Sequence, residues 1–198
     1  MNCRICGKCM STTLSHALCC APAESTAGHY CVVRSAVDGL RVADASVVTE
    51  VRGLVEDSSA RPADIYTKAA ILGRDAALDV SIASQDAINA GEDCCRTAFN
   101  KKLRKYARLL GPMARDGIAF RPLIWSAEGR PHPVVDRVIG FASELASRKH
   151  ADSNAQQFAQ RWRREIAVAL QKRLARMVRA CMPAPNRRGR LLLRPAAG

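Results

Sequence analysis

An α/β fold, with a mixed β-sheet flanked by helices, is predicted by three features of this 198-residue chain. Segments with helical and strand periodicity follow one another in the order helix, three strands, helix, strand, helices. A dense Cys/His cluster precedes that pattern and stands apart from it. The apolar fraction of 48% is enough for a real core.

Residues 1–20 hold the cluster, and "APAESTAG" after it reads as a linker of small residues. In residues 29–42, Val32, Val33, Ala36, Val37 and Leu40 recur at helical spacing. "SVVTEVRGLV" is short and β-branched and predicts a strand, and "EDSSARPA" predicts a loop. "DIYT" and "AALDVSIA" predict two strands joined by a turn at Gly73. Residues 94–116 predict a helix with Leu103, Tyr106, Ala107 and Leu110 on one face, interrupted at Gly111-Pro112. "GIAFRPLIWSA" predicts a fourth strand with Trp125 in the core, and "EGRPHP" a loop. Residues 134–148 and 153–181 predict two further helices. The tail from Pro183, with "NRRGR" and further prolines, predicts disorder. The organisation expected is a cluster and linker over 1–28, an α/β core over 29–150, a basic helix over 151–182 and a tail over 183–198.

Charge is divided unevenly. Residues 1–99 carry 9 Lys+Arg against 12 Asp+Glu, whereas residues 100–198 carry 22 against 6. A basic half of this kind points to a polyanion partner, with DNA first and RNA as the other candidate. A solvated basic helix surface is the plainer account of the same residues. No apolar run approaches the length of a membrane span, and the N-terminus has no apolar h-region. No membrane partner and an intracellular location are therefore expected.

Nine cysteines occur, clustered rather than spread as in a disulfide framework. In "CRICGKCMSTTLSHALCC", Cys3 and Cys6 flank a tight knuckle ending in Gly7, so both thiolates can reach one ion. His16 and Cys20 can complete a tetrahedral Zn²⁺ site, with Cys9 and Cys19 as further candidates. Cys94 and Cys95 have no His or Cys partner nearby in sequence.

"RPADIYTKAAILGRDAALDV" places Asp64 and Asp79 in or beside two strand-like segments, with fourteen residues between them. Strand interiors disfavour Asp, so two carboxylates on adjacent strands ask for a reason. Together they can hold a divalent cation, and hard oxygen ligands suit Mg²⁺ or Mn²⁺. Such an ion polarises a phosphodiester and activates water. The plainer account makes Asp64 a turn residue and Asp79 a surface residue. "NKKLRKYARLL" then sets Lys101, Lys102, Arg104 and Lys105 on a helix beside Tyr106. A lysine near the carboxylates can hold the attacking water or stabilise charge on phosphate, and the others can grip backbone phosphates. Arg161, Arg163 and Arg164 form a second basic set. Glu50 reads as solvent-facing rather than as a third acid, and His132 and His150 as surface residues.

In this order the motifs resemble the C-terminal region of site-specific non-LTR retrotransposon proteins, which follows the reverse transcriptase. That region carries a CCHC zinc knuckle and then a restriction-like endonuclease of the PD-(D/E)XK fold. "HALCC" is similar to the family's His-Ala-Leu-x-Cys run, and "GHYCVVR" to its Arg-His-Asn segment. "RPADI" and "LDVSI" resemble its Pro-Asp and later Asp, and "KLRKY" its Lys-x-x-Lys-Tyr. "FRPLIWSAEGRPH" resembles the strand and glycine turn that follow. The likeness covers about residues 3–180. Ala63 separates Pro62 from Asp64, Ser81 stands where the usual D-x-K lysine would be, and Gly28 and Tyr30 replace the Arg and Asn around the histidine. The family itself moves the lysine to the helix.

The resemblance implies a small restriction-endonuclease-like mixed sheet with the two acids on neighbouring strands and the lysine close by. It implies Cys3, Cys6, His16 and Cys20 on zinc, Asp64 and Asp79 on magnesium or manganese, and Lys102 as the catalytic lysine. The implied activity is metal-dependent nicking of nuclear DNA by part of a retroelement-derived protein. The rival expectation is a non-catalytic nucleic-acid-binding remnant that uses the knuckle and the basic helices.

Overall fold

A computed structural model describes residues 2–9, 15–55, 58, 60–85, 87, 89–150 and 154–182. The tail expected to be disordered, 183–198, lies outside the described residues, as do parts of the loop around 56–59.

The short helix α1 (Ser15–Cys20) is followed at once by α2 (Pro22–Ala43). The small-residue stretch 21–28 is thus mostly helix, a correction to its reading as a linker. Proline is well placed in a first helical turn, and the alanines that follow it favour helix. Strand β1 (Val48–Thr49) is much shorter than the stretch 46–55, because Glu50 at φ 54° leaves the extended region directly after it. Strands β2 (Ile65–Ile71) and β3 (Arg74–Ala83) form a hairpin whose turn, Leu72-Gly73, has both φ angles positive. Helices α3 (Cys94–Lys105) and α4 (Ala107–Arg115) cross to β4 (Ala119–Ser126), which runs parallel to β3. Helices α5 (Pro133–Lys149) and α6 (Ala155–Cys181) complete the described chain. The interruption expected at Gly111-Pro112 falls instead at Tyr106, whose buried ring meets Phe120 edge-on at 5.3 Å, and Pro112 lies inside α4.

The sheet is open and mixed, in the order β1-β2-β3-β4, with the first two pairings antiparallel. Alternation along the strands divides its faces. Ile65, Leu78, Val80, Leu123 and Trp125 pack with α2, α5 and α6 in the main core. Ala77 and Phe120 point the other way, toward Tyr106 and Met113 of the α3–α4 crossover.

Helices α2 and α6 pack closely because two glycines of α2 leave room for large side chains of α6. A Cβ on Gly39 would stand 2.1 Å from Trp162, whose indole N–H donates to Ser35 O at 3.0 Å. A Cβ on Gly28 would stand 2.2 Å from Arg173 Cγ. The glycine that departs from the retrotransposon pattern is therefore required by this packing.

Asp44, buried at the end of α2, anchors the edge of the sheet. One carboxylate oxygen accepts from the Lys68 and Ala69 amides at 2.9 and 3.0 Å and from the Thr67 hydroxyl, where the β2–β3 register shifts. The other accepts from Ser46 N and Oγ at 2.9 and 2.6 Å. Burial alone would push this carboxyl up, but the donors outweigh it and hold it well below the usual range. No helix among the described residues is long and apolar enough to cross a membrane.

Candidate functional site

Cys3, Cys6, His16 and Cys20 bring their ligand atoms within 4.8 Å of one another. The knuckle is a tight turn: Gly7 N donates to Cys3 O at 2.8 Å, and Gly7 takes φ 74°, where glycine meets no Cβ penalty. Helix α1 carries His16 and Cys20 back to it, and His16 Nε2 lies 3.2 Å from Cys6 Sγ. Burial pushes the Cys3 thiol up, but the amides of Cys6 and Ile5 and the His16 ring outweigh it, leaving a value of about 6. The Cys20 thiol is pushed up to about 12, first by its hydrogen bond to Cys6 and then by burial. This group can hold a metal such as zinc, and its donor set suits that ion. Cys9 lies outside the group, and the Cys19 side chain outside the described residues.

The knuckle is fastened to the fold. Arg4 N donates to Cys181 O at 2.8 Å, and Cys3, Ala17 and Ala21 pack on Met177 and Cys181 at the end of α6.

A second site lies where β2, β3 and α3 meet. Asp64 precedes β2, and its amide donates to Leu78 O at 3.0 Å while its Oδ2 accepts from Val80 N at 2.7 Å. That arrangement ties it to β3 beside Asp79, which shares the α3–α4 side of the strand with Ala77. Lys102, from the last turn of α3, places Nζ 2.7 Å from Asp79 Oδ2. Asp64, Asp79, Lys102 and Lys105 line one polar cleft of about 250 Å³. The Lys105 ammonium lies 4.7 Å from the Tyr106 ring centre.

Burial pushes the Asp79 carboxyl up. The Lys102 ammonium pulls it down, Asp64 adds to the upward push, and the net effect is a raised value. Asp79 Oδ2 is also buried without a donor in hydrogen-bond alignment, despite the close ammonium. A hard divalent cation would satisfy such an oxygen, so the donor set fits Mg²⁺ or Mn²⁺.

His29 of α2 is the residue that reading for acids and lysines missed. Its Nε2 stands 3.6 Å from Asp64 Oδ1, and it lines the same cleft. The only signal for it in the sequence was the "GHYCVVR" stretch. Glu50 is exposed, as expected, but it also borders the cleft and pairs with Arg61 at 3.3 Å.

The basic residues divide into two places. Lys101, Lys102, Arg104 and Lys105 line a groove of about 790 Å³ along α3 that opens beside the acids. Arg161 and Arg164 line a different groove, between α2 and α6. Arg161 pairs there with Glu165 at 3.0 Å, whereas Arg163 lies outside that groove and pairs with Asp136 of α5 at 3.0 Å. The fold does not bring this second set to the carboxylates. Trp125 is buried as expected, and His132 caps α5 while stacking on Phe99 at 4.3 Å. Cys94 and Cys95 are buried, and with Asp93 they form a second close group. Asp93, however, spends its carboxylate on capping α3 and on Arg130.

Comparison with family models, curated proteins and solved structures gives no match.

Proposed function

We propose that this chain is a metal-dependent DNA-nicking endonuclease domain with an N-terminal zinc knuckle, restriction-like in fold and retroelement-derived. One observation carries the reading: a carboxylate just before β2, one on the neighbouring β3 and a lysine from the following helix line one polar cleft, with Lys102 2.7 Å from Asp79. The mixed sheet and the order of its motifs support it further, because they match what the sequence resemblance implies. A nuclear location follows from the same reading.

Asp64 and Asp79 would hold Mg²⁺ or Mn²⁺, which supplies Lewis-acid stabilisation of the phosphate and an acidified water. The chain's own residues do the rest. Val80 N fixes the Asp64 carboxylate, and α3 fixes the Lys102 ammonium at the inner wall of the cleft. That ammonium can bind a phosphate oxygen as negative charge develops on it. Lys101 and Arg104 along α3 would bind flanking phosphates, and Arg161, Arg163 and Arg164 of α6 would add charge at a distance.

A second reading is favoured by the same ion pair. Lys102 already gives Asp79 a counter-charge, as in a non-catalytic nucleic-acid-binding module with vestigial carboxylates. The two readings separate in one experiment, nicking of supercoiled plasmid by purified protein with Mg²⁺ or Mn²⁺ and binding of the same DNA in Ca²⁺. Nicking that Asp79→Asn abolishes while binding persists supports the enzyme. Binding without nicking under either ion overturns it in favour of the module.

A further inference from the structure

Arg173 of α6 is 6% exposed, and its Nε is buried with no hydrogen-bond partner. Its Nη2 donates to Ser25 Oγ at 3.0 Å. No carboxylate among the described residues forms an ion pair with it. An enclosed cation without an anion is costly, and proteins normally pair or remove such a charge. Here the fold does the opposite. It keeps a glycine at position 28 so that the arginine stem can pass, since any Cβ there would meet the stem at 2.2 Å.

Arg173 borders a cavity of about 250 Å³, lined with it by Ser25, Thr26, His29, Tyr30, Ser81 and Ile82. Four of these residues, Ser25, Thr26, Tyr30 and Ser81, carry hydroxyls on short or rigid side chains, and none is acidic. The cavity shares His29 and Tyr30 with the carboxylate cleft. Ser81 follows Asp79 by two residues on the same face of β3, a step of about 6.6 Å.

We propose that the Arg173–Ser25 cavity is a phosphate subsite, which takes the DNA backbone phosphate adjacent to the one addressed by Asp64, Asp79 and Lys102. This assignment rests on the endonuclease reading for the identity of the chain it holds, but not for the anion chemistry. A guanidinium and hydroxyl donors suit a tetrahedral oxyanion, and binding gives Arg173 the counter-charge that the fold withholds. Free phosphate and a phosphodiester share that chemistry, so the test needs an arm for each.

The first arm is thermal unfolding of the zinc-loaded protein in inorganic phosphate against chloride of equal ionic strength. Phosphate raises the Tm of wild type and leaves that of Arg173→Met unchanged. In chloride Arg173→Met is at least as stable as wild type, because methionine keeps much of the stem and drops the charge. Equal responses to phosphate in the two proteins overturn the subsite. If Arg173→Met does not fold, Ser25→Ala replaces it and must weaken the phosphate response.

The second arm is binding, in Ca²⁺, of a DNA duplex series carrying one neutral methylphosphonate at successive positions. One position weakens wild-type binding by about tenfold, the loss expected for a charge-assisted contact, and has no further effect in the variant. A phosphate response with no sensitive position overturns the backbone assignment. Neither arm depends on nicking, so a failure of the enzyme reading is seen separately.

Discussion

The Lys102 ammonium sits 2.7 Å from Asp79 Oδ2, yet that oxygen is buried without an aligned donor. Burial raises the Asp79 pKa, and the Lys102 ammonium offsets it only in part. The folded value lies above the unfolded one. The ionised form therefore weakens the fold, and stability falls as pH rises through the range between the two. Asp79→Asn should raise Tm at neutral pH, by about 2–4 °C for each kcal/mol recovered. Differential scanning calorimetry across pH checks the sign: the gain must shrink toward acid, where wild-type Asp79 is protonated. Under the proposed function, nicking falls in acid from a pH above the ordinary carboxylate range.

Lys102 and Lys105 lie one α-helical turn apart and border the same cleft. Under the proposed function they differ in role. Lys102→Ala should slow nicking about 10²-fold or more while DNA affinity drops modestly, since one contact among many is lost. Lys105→Ala should act chiefly on affinity. Single-turnover nicking beside a binding titration separates them, and equal small effects from both would make Lys102 a phosphate contact only.

Asp44 makes the opposite pH prediction. Its donors hold its folded pKa below the unfolded value, so it stabilises the fold above the ordinary carboxylate range. That stability is lost as pH falls through the folded value. Asp44→Ala leaves the Lys68 and Ala69 amides and the Thr67 hydroxyl without this acceptor and should cost about 3 kcal/mol at neutral pH. Urea unfolding measures it, and a loss under about 0.5 kcal/mol, within the range of an ordinary surface substitution, would contradict the anchoring role.

The cluster predicts one zinc per chain. Cys3→Ser and Cys20→Ser should each lose it, and Cys9→Ser should keep it, by elemental analysis of purified protein. A chelator should also lower Tm, because metal binding and folding are linked.

Gly39→Ala tests the α2–α6 contact. On an open helix face that change stabilises by about 1 kcal/mol. Here the new methyl meets the Trp162 ring at 2.1 Å, so a loss of about 1–3 kcal/mol is expected. A neutral result in thermal unfolding would show that the helices part easily.

Much of the fold was legible because its signals are local. The Gly73 turn, the alternation in β3 and the helical spacing of Val33, Ala36, Val37 and Leu40 all lie within short windows. The acids could be named because each lies in a short stretch of its own, whereas Lys102 was singled out from Lys101, Arg104 and Lys105 only by the resemblance that "KLRKY" carries. His29 was less visible: its relation to Asp64 is made by α2 packing on the sheet, and no local pattern encodes that. Arg173 read as one more arginine in a basic helix, since its burial depends on Gly28, which lies more than a hundred residues earlier. The extent of β1 failed for a different reason. β-branched residues favoured a strand, but the backbone turns at Glu50 and leaves two residues to pair. Tyr106 ended α3 through ring burial against Phe120, which outweighed the stronger local breaker at Pro112.

Helix α2 starts two residues after Cys20 and reaches His29 seven residues from its first position, a rise of about 10 Å. Helix α6 runs from Trp162 past Arg173 to Cys181, where it meets the same cluster. The two helices are struts of one bracket with the sulfur group at its apex. The two clefts thus take His29 and Arg173 from the same two helices that meet the sulfur group at their near ends.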